Sequence, residues 1–75
     1  MDGLLEYDVV RVECLQYARP DSSFNTRPPV VGDQGTIVNV LAPNEFIVEA
    51  VGEDGSTEWL CDFNARDLSL VWRPT

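Results

Sequence analysis

The stretch that decides the fold is residues 45–62, in which two apolar runs flank a turn. It reads Glu45-Phe46-Ile47-Val48-Glu49-Ala50-Val51-Gly52-Glu53-Asp54-Gly55-Ser56-Thr57-Glu58-Trp59-Leu60-Cys61-Asp62. Charged or polar residues interrupt the apolar residues of both runs, as in strands that bury one face. The Asp-Gly pair at the tip favours the positive φ angles of a tight hairpin. The stretch therefore predicts two antiparallel strands, at residues 45–51 and 56–61.

Three further runs rich in β-branched and apolar residues, 7–12, 35–41 and 68–72, predict three more strands. Residues 64–67 are too few for an α-helix and predict one 3₁₀ turn before the last strand. Several prolines and polar residues in 15–31 predict a long loop. Five short strands and one 3₁₀ turn favour an all-β fold, a small five-stranded SH3-like barrel that forms a single domain over residues 1–75.

The hairpin turn also predicts a register. A loop of two or four residues at 52–55 sets Glu49 directly opposite Glu58 and Glu45 directly opposite Asp62. Like charges in directly opposite positions destabilise a sheet, so these two pairs call for an explanation. The predicted core on the other face consists of Phe46, Val48, Ala50, Trp59 and Cys61, continued by Val38 and Val40.

The charge balance excludes several classes of function. The chain has 13 acidic and 5 basic residues, no His, and a formal net charge of −8. This balance opposes binding to nucleic acid or to an anionic membrane, both of which need a basic surface. Without His or Lys, the chain also lacks the commonest general base, the commonest zinc ligand and any Schiff-base lysine. We therefore expect a binding protein and not an enzyme.

A divalent cation, above all calcium, is the first ligand that the facing carboxylates suggest. Ca²⁺ takes 6–8 oxygen ligands, preferably from carboxylates, carbonyls and water. An EF-hand loop is excluded, because Asp67 stands where such a loop starting at Asp62 requires Gly. The expected calcium site is thus a surface cluster that serves a buffer or sensor. Its candidate ligands are Asp33, Glu45, Glu49, Glu53, Asp54, Glu58, Asp62 and Asp67.

Two other interpretations of the carboxylates stay open. In the first, the carboxylates are hydrated and screened by salt, or bridged by Arg66 or Arg73, and have no function. Alternatively, the chain is a protein-interaction or regulatory module whose acidic face binds a basic partner. A homodimer contact is a further possibility near the chain ends, where the apolar residues are Leu4, Leu5, Tyr7 and Trp72.

The cysteines and the start of the chain bear on the compartment. Cys14 and Cys61 form no C-x-x-C motif and have no His nearby. We interpret them as reduced thiols that act as small core residues, with a disulfide or a reactive thiol as the alternatives. The first residues show no signal peptide, and no apolar run approaches the ~20 residues of a membrane-spanning helix. The expectation is a cytoplasmic protein.

Four short segments carry a resemblance to a known family. They are Val31-Gly32-Asp33-Gln34-Gly35-Thr36-Ile37-Val38, Phe46-Ile47-Val48-Glu49, Asp54-Gly55-Ser56-Thr57 and, near the start of the chain, Tyr7-Asp8-Val9-Val10. Their spacing resembles that of short, mostly uncharacterised bacterial SH3-like domains, and the first segment is similar to the KOW element of ribosomal and transcription proteins. Small acidic cyanobacterial calcium-binding proteins are similar in size and charge. The resemblance implies an SH3-like barrel and calcium binding, whereas RNA-binding KOW domains are basic and this chain is not.

Overall fold

The computed structural model describes residues 3–21 and 25–75 and shows an all-β chain, as predicted. The 3₁₀ turn, Ala65–Asp67, also lies where it was expected, directly before the last strand. No helix in the described part of the chain is long and apolar enough to cross a membrane. The strands are β1 (Val9–Val12), β2 (Arg19–Pro20), β3 (Gln34–Ala42), β4 (Glu45–Val51), β5 (Thr57–Asn64) and β6 (Leu68–Trp72).

The strands form one antiparallel sheet in the order β2-β5-β4-β3-β1-β6. Strand β2 is the addition to the five predicted strands. It lies in the predicted loop 15–31 and is too short to produce a strand pattern, but it pairs with β5 through Arg19 opposite Asp62. Residues 22–24 of that loop lie outside the described residues. The sheet begins at β2 and ends at β6 without closing, so the five-stranded SH3-like barrel is not confirmed.

The predicted register of the β4–β5 hairpin is wrong by two residues. Ala50 pairs with Trp59 and Val51 pairs with Thr57, so Glu58 has no residue opposite it. Such an extra residue is a β-bulge, which shifts the pairs that follow it by one residue. The turn contributes the other residue, because it spans residues 52–56 and the first pair is Val51–Thr57 instead of the predicted Val51–Ser56. As a result of both changes Glu49 faces Leu60 and does not face Glu58.

The same shift corrects the second predicted pair of like charges. Glu45 faces Asn64, and Asp62 faces Ile47, so the two carboxylates are diagonal neighbours across the ladder. Because the shift is an even number of residues, every side chain keeps its predicted face of the sheet. The predicted core of the hairpin is therefore confirmed although its register is not.

Ten buried apolar side chains form the core within residues 3–21 and 25–75. Among them, Trp59 packs edge-to-face on Phe63 with ring centroids 5.8 Å apart. The prediction for β3 was wrong, because Val40 is exposed and Val38 only half-buried, whereas Ile37 is fully buried. Ile37 faces the core residue Val48 across the β3–β4 ladder, and the ladder shifts between Ile37 and Asn39, so the simple alternation assumed along β3 fails. The core residues are Val10, Val12, Ile37, Phe46, Val48, Ala50, Trp59, Cys61, Phe63 and Leu68.

Both cysteines are free thiols. Cys61 is buried, as predicted, and burial raises the pKa of its thiol to about 11. Cys14 is only half-buried and donates a hydrogen bond to Oδ1 of Asp67 at 2.9 Å. That hydrogen bond raises the pKa of Cys14, so both thiols stay protonated at neutral pH.

Two of the aspartates that the structure describes are fully buried, and each has close partners. Asp8 accepts two hydrogen bonds from Arg73, at 2.8 Å from Nε and 2.7 Å from Nη2, and a third from the backbone N–H of Leu5. The hydrogen bonds from Arg73 hold the pKa of Asp8 below its ordinary value, although burial opposes them. The pair joins the segment before β1 to the segment after β6, and the sequence pattern did not predict it.

Candidate functional site

A pocket of about 190 Å³ opens beside the outer half of the sheet, where β2, β4 and β5 lie next to one another. Pairing across the ladders accounts for its composition, because Arg19 faces Asp62 and Glu45 faces Asn64. Asp62 and Asn64 are two residues apart on β5 and so share one face of the sheet. The residues that line the pocket are Tyr17, Arg19, Glu45, Asp62 and Asn64.

Two carboxyl groups meet in this pocket. The pKa of Asp62 rises from its ordinary value of 3.8 to about 6. Burial is the largest cause, the hydrogen bond and negative charge of Glu45 add to it, and the positive charge of Arg19 opposes it. Asp62 therefore carries a proton in mildly acidic solution and becomes negative above about pH 6.

Tyr17 is held at the pocket by a buried side chain. The backbone N–H of Tyr17 donates to Oδ2 of Asp67 at 2.9 Å, and the backbone carbonyl of Asp67 accepts from the N–H groups of Glu13 and Cys14. Asp67 thus links the start of the long loop to the 3₁₀ turn. Its carboxylate serves the fold and is not directed at a ligand in the pocket.

The 3₁₀ turn also positions Asn64. Its side-chain oxygen accepts a hydrogen bond from the backbone N–H of Arg66 at 2.9 Å and so caps the turn. The next residue, Ala65, donates its backbone N–H to the carbonyl of Asn44, which ties the turn to the β3–β4 connection. These two hydrogen bonds fix the end of β5 and with it the position of Asn64 in the pocket.

Among the predicted metal ligands, Asp33 and Glu58 are joined by an arginine that was not predicted to be their partner. Arg27 contacts Asp33 at 2.7 Å and Glu58 at 2.9 Å, whereas Arg66 and Arg73 had been the candidate partners. Asp33 also accepts hydrogen bonds from the indole N–H of Trp59 and the backbone N–H of Val30, each at 3.0 Å. Burial alone would raise the pKa of Asp33, but these hydrogen bonds outweigh it and lower the pKa.

The three remaining candidates lie near the hairpin tip. Glu49 accepts a hydrogen bond from the Thr57 hydroxyl, and Asp54 accepts one from the backbone N–H of Ser56 at 3.0 Å. Glu53 is exposed. The described residues contain no group of three or more Asp, Glu, His or Cys side chains that could hold a metal ion. Of the eight predicted ligands, only Glu45 and Asp62 are brought together in the described pocket.

Three residues of the pocket were not predicted as site residues, namely Tyr17, Arg19 and Asn64. Tyr17 and Arg19 come from the loop without a strand pattern, and only their pairing with β5 and their link to Asp67 place them here. Asn64 carried a usable signal, because an Asn before a short turn is a typical cap.

Comparison of the chain with protein-family models, with curated proteins and with solved structures yields no match in any of the three.

Proposed function

We propose that this protein is a non-enzymatic binding module that takes a cationic side chain of a basic protein partner into the pocket between Glu45 and Asp62. The observation that carries the proposal is the meeting of these two carboxyl groups in one pocket of about 190 Å³. A cavity of this size admits the end of a Lys or Arg side chain. An ammonium or guanidinium group there donates hydrogen bonds to both carboxylates, and such charge-assisted bonds are the strong ones.

The surroundings of the two carboxyl groups favour a cation in two further ways. Partial burial of Asp62 strengthens its interaction with any charge that enters the pocket. Tyr17 lines the same pocket, and aromatic residues attract Lys and Arg groups through their ring faces. Arg19 also lines the pocket and opposes an incoming cation, so it tunes the affinity downward.

The net charge of −8 supports the same class of partner. An acidic protein attracts basic surfaces over distances comparable with the Debye length and accelerates their encounter. We expect this long-range attraction to set the association rate and the pocket to set the specificity.

Calcium is the second candidate ligand, and one observation favours it. Glu45 and Asp62 lie in one pocket, and a divalent ion there would favour the ionised form of Asp62 at neutral pH. The pocket adds the side chain of Asn64, and water would complete the 6–8 oxygens that Ca²⁺ needs. A site with two carboxylates is expected to be weak, so we place calcium after a basic partner.

We also propose that the chain is related to short bacterial SH3-like domains and that it is located in the cytoplasm. The β3-β4-β5 meander and the 3₁₀ turn that leads into β6 beside β1 support an SH3-like relation. The free thiols of Cys14 and Cys61 are typical of reducing compartments and support the location.

Calorimetric titration with an oligo-lysine peptide at low salt and pH 7.5 tests the proposed ligand. We expect saturable binding by the wild-type protein and at least about tenfold weaker binding by Glu45→Gln. Glu53→Gln is the matched control, because it makes the same change at an exposed carboxylate outside the pocket. Equal losses in the two variants would show diffuse attraction and would contradict a pocket.

A second titration, with calcium chloride in place of the peptide, separates the two candidates. Calcium would become the proposed ligand if it saturates the wild-type protein and Glu53→Gln but not Glu45→Gln, and if the peptide does not bind. Peptide binding without a calcium response supports the proposal as stated.

A further inference from the structure

Given the cation site proposed above, we propose that its occupant is the C-terminal Lys or Arg residue of a partner, bound at both of its charges. The side-chain cation enters between Glu45 and Asp62, and the α-carboxylate binds the guanidinium group of Arg19. Arg19 lines the same pocket and is exposed. Across residues 3–21 and 25–75, its side chain forms no ion pair and no hydrogen bond. Its donors are therefore open to a ligand.

Two further hydrogen-bond donors line the pocket. The side-chain oxygen of Asn64 accepts from the backbone N–H of Arg66 at 2.9 Å, so the amide group of Asn64 is the part that remains. That amide group has no acceptor within the described part of the chain. Tyr17 adds a hydroxyl group. Guanidinium, amide and hydroxyl donors suit a carboxylate, so the pocket offers partners to an anion as well as to a cation.

The charges of the pocket follow one another across the sheet. Arg19 on β2 lies directly opposite Asp62 on β5, and Glu45 lies on the next strand, β4. The positive charge of Arg19 reaches Asp62, because it opposes the rise in the pKa of that carboxyl group. Neighbouring strands are about 4.8 Å apart, so an anion at Arg19 and a cation between the two carboxylates are about 5–10 Å apart.

This separation selects the kind of ligand. The α-amino and α-carboxyl groups of a single amino acid are joined through one carbon atom and are too close together. The side chain of Lys places its charge at the end of a four-carbon stem, and that of Arg is similarly long, so either one spans the distance to its own α-carboxylate. Only the last residue of a chain has a free α-carboxylate, which is a group that proteins capture in recognising peptides.

The size of the pocket favours one residue over a longer segment. Its volume of about 190 Å³ is below the roughly 300–1,000 Å³ of pockets for drug-sized ligands. An internal basic residue could bring an anion only through an acidic neighbour. On an extended segment the two side chains would have to be two residues apart to share a face. Such a segment of three residues is larger than a single C-terminal residue.

Two tripeptides test the proposal by NMR titration at pH 7.5 and low salt. They are acetyl-Gly-Gly-Lys with a free C-terminal carboxylate and the same peptide with a C-terminal amide. Diffuse attraction to a protein of net charge −8 predicts weaker binding of the free acid, which has one negative charge more. The carboxylate contact with Arg19 predicts the reverse, with the free acid bound about fivefold more tightly. Equal binding, or tighter binding of the amide, would overturn the proposal.

Two arginine variants locate the carboxylate contact. Arg19→Gln should lose the preference for the free acid. Arg11→Gln is the matched control, because it makes the same change of net charge at an exposed strand residue outside the pocket. A preference that survives Arg19→Gln, or that both variants lose equally, would contradict the contact. The comparison of the two peptides on the wild-type protein decides the question if Arg19→Gln fails to fold.

Two further peptides separate this proposal from the cation site on which it rests. If a C-terminally amidated oligo-lysine peptide and both tripeptides fail to bind, the cation site fails and the C-terminal ligand with it. If the oligo-lysine peptide binds and the two tripeptides bind equally, only the C-terminal ligand is overturned. Acetyl-Lys-Gly-Asp amide should bind less tightly than the free acid. Equal binding of these two would assign Arg19 to an internal acidic residue and would contradict the C-terminal ligand.

Discussion

Glu45 and Asp62 lie diagonally across the β4–β5 ladder, and each faces an uncharged residue, Asn64 and Ile47. Burial nevertheless raises the pKa of Asp62 to about 6, and the hydrogen bond and negative charge of Glu45 add to the rise. A raised pKa means that the folded state binds the proton more tightly than the unfolded state does. Ionised Asp62 is consequently a source of instability at neutral pH that a bound cation would reduce.

The pH dependence of stability follows from this pair. The contribution of protonated Asp62 is fully present below its ordinary pKa of 3.8 and is lost as the pH rises through about 6. Asp62→Asn should therefore be more stable than the wild-type protein at pH 7.5, by on the order of 1 kcal/mol after allowance for solvent screening. Urea unfolding at pH 7.5 and pH 4 measures the difference, which should shrink at the lower pH.

The controls for this experiment are in the same chain. The pKa values of Asp8 and Asp33 are lowered, so their contributions change only below about pH 4 and leave the window from 4 to 6 to Asp62. Glu53→Gln should behave as the wild-type protein throughout. A stability advantage of Asp62→Asn that stays constant between the two pH values would contradict the raised pKa.

Arg73 should be the most costly arginine to remove. The Asp8 side chain is 1% exposed, and Arg73→Met would leave its charge buried without this partner. We expect a loss of about 3 kcal/mol in the free energy of unfolding at pH 7. The loss should diminish as the pH falls through the lowered pKa of Asp8, because the wild-type advantage then disappears. Arg66→Met, at an exposed position, should cost little by the same denaturation measurement.

Gly35 is required where β3 approaches β4. A Cβ atom at this position would lie 2.7 Å from Cγ1 of Val48 and 2.8 Å from the backbone oxygen of Glu49. Gly35→Ala should therefore lower the free energy of unfolding by about 2 kcal/mol, because backbone must shift to admit the methyl group. Gly3→Ala is the control, since no atom lies within 4 Å of its Cβ position. Similar thermal midpoints for the two variants would contradict the close approach.

Asp33 should contribute to the stability of the fold and should not act as a metal ligand. Asp33→Ala removes the acceptor of the Trp59 indole and the Val30 amide, so we expect a loss of about 2 kcal/mol. The loss should be independent of calcium in the buffer, as measured by thermal unfolding with and without the ion. A loss that appears only in the presence of calcium would restore Asp33 as a ligand.

Local patterns predicted the strands well, because the alternation of apolar residues and the Asp-Gly turn act over short distances. The register failed for two reasons: the turn spans five residues, 52–56, and Glu58 forms a β-bulge, which depends on contacts across the ladder and leaves no mark in one strand alone. Together these two changes separated Glu49 from Glu58, which removed one of the two predicted carboxylate pairs.

Two of the five residues that line the pocket were predicted. Glu45 and Asp62 are strand residues, and the even shift in register kept them on one face and near each other. Tyr17 and Arg19 belong to a loop, where position is decided by tertiary contacts such as the hydrogen bond from Tyr17 to Asp67. The Asp8–Arg73 pair joins residues near opposite ends of the sequence, so no local pattern reveals it.

Titration of the Asp62 carboxyl carbon by NMR, without and with a saturating oligo-lysine peptide, tests cation binding in the pocket most directly. We expect a pKa of about 6 for Asp62 in the free protein. Because a bound cation favours the ionised carboxylate, we also expect a clear fall of that pKa in the complex. An Asp62 pKa that the peptide leaves unchanged, or one near 3.8 in the free protein, would contradict the claim that this pocket binds cations.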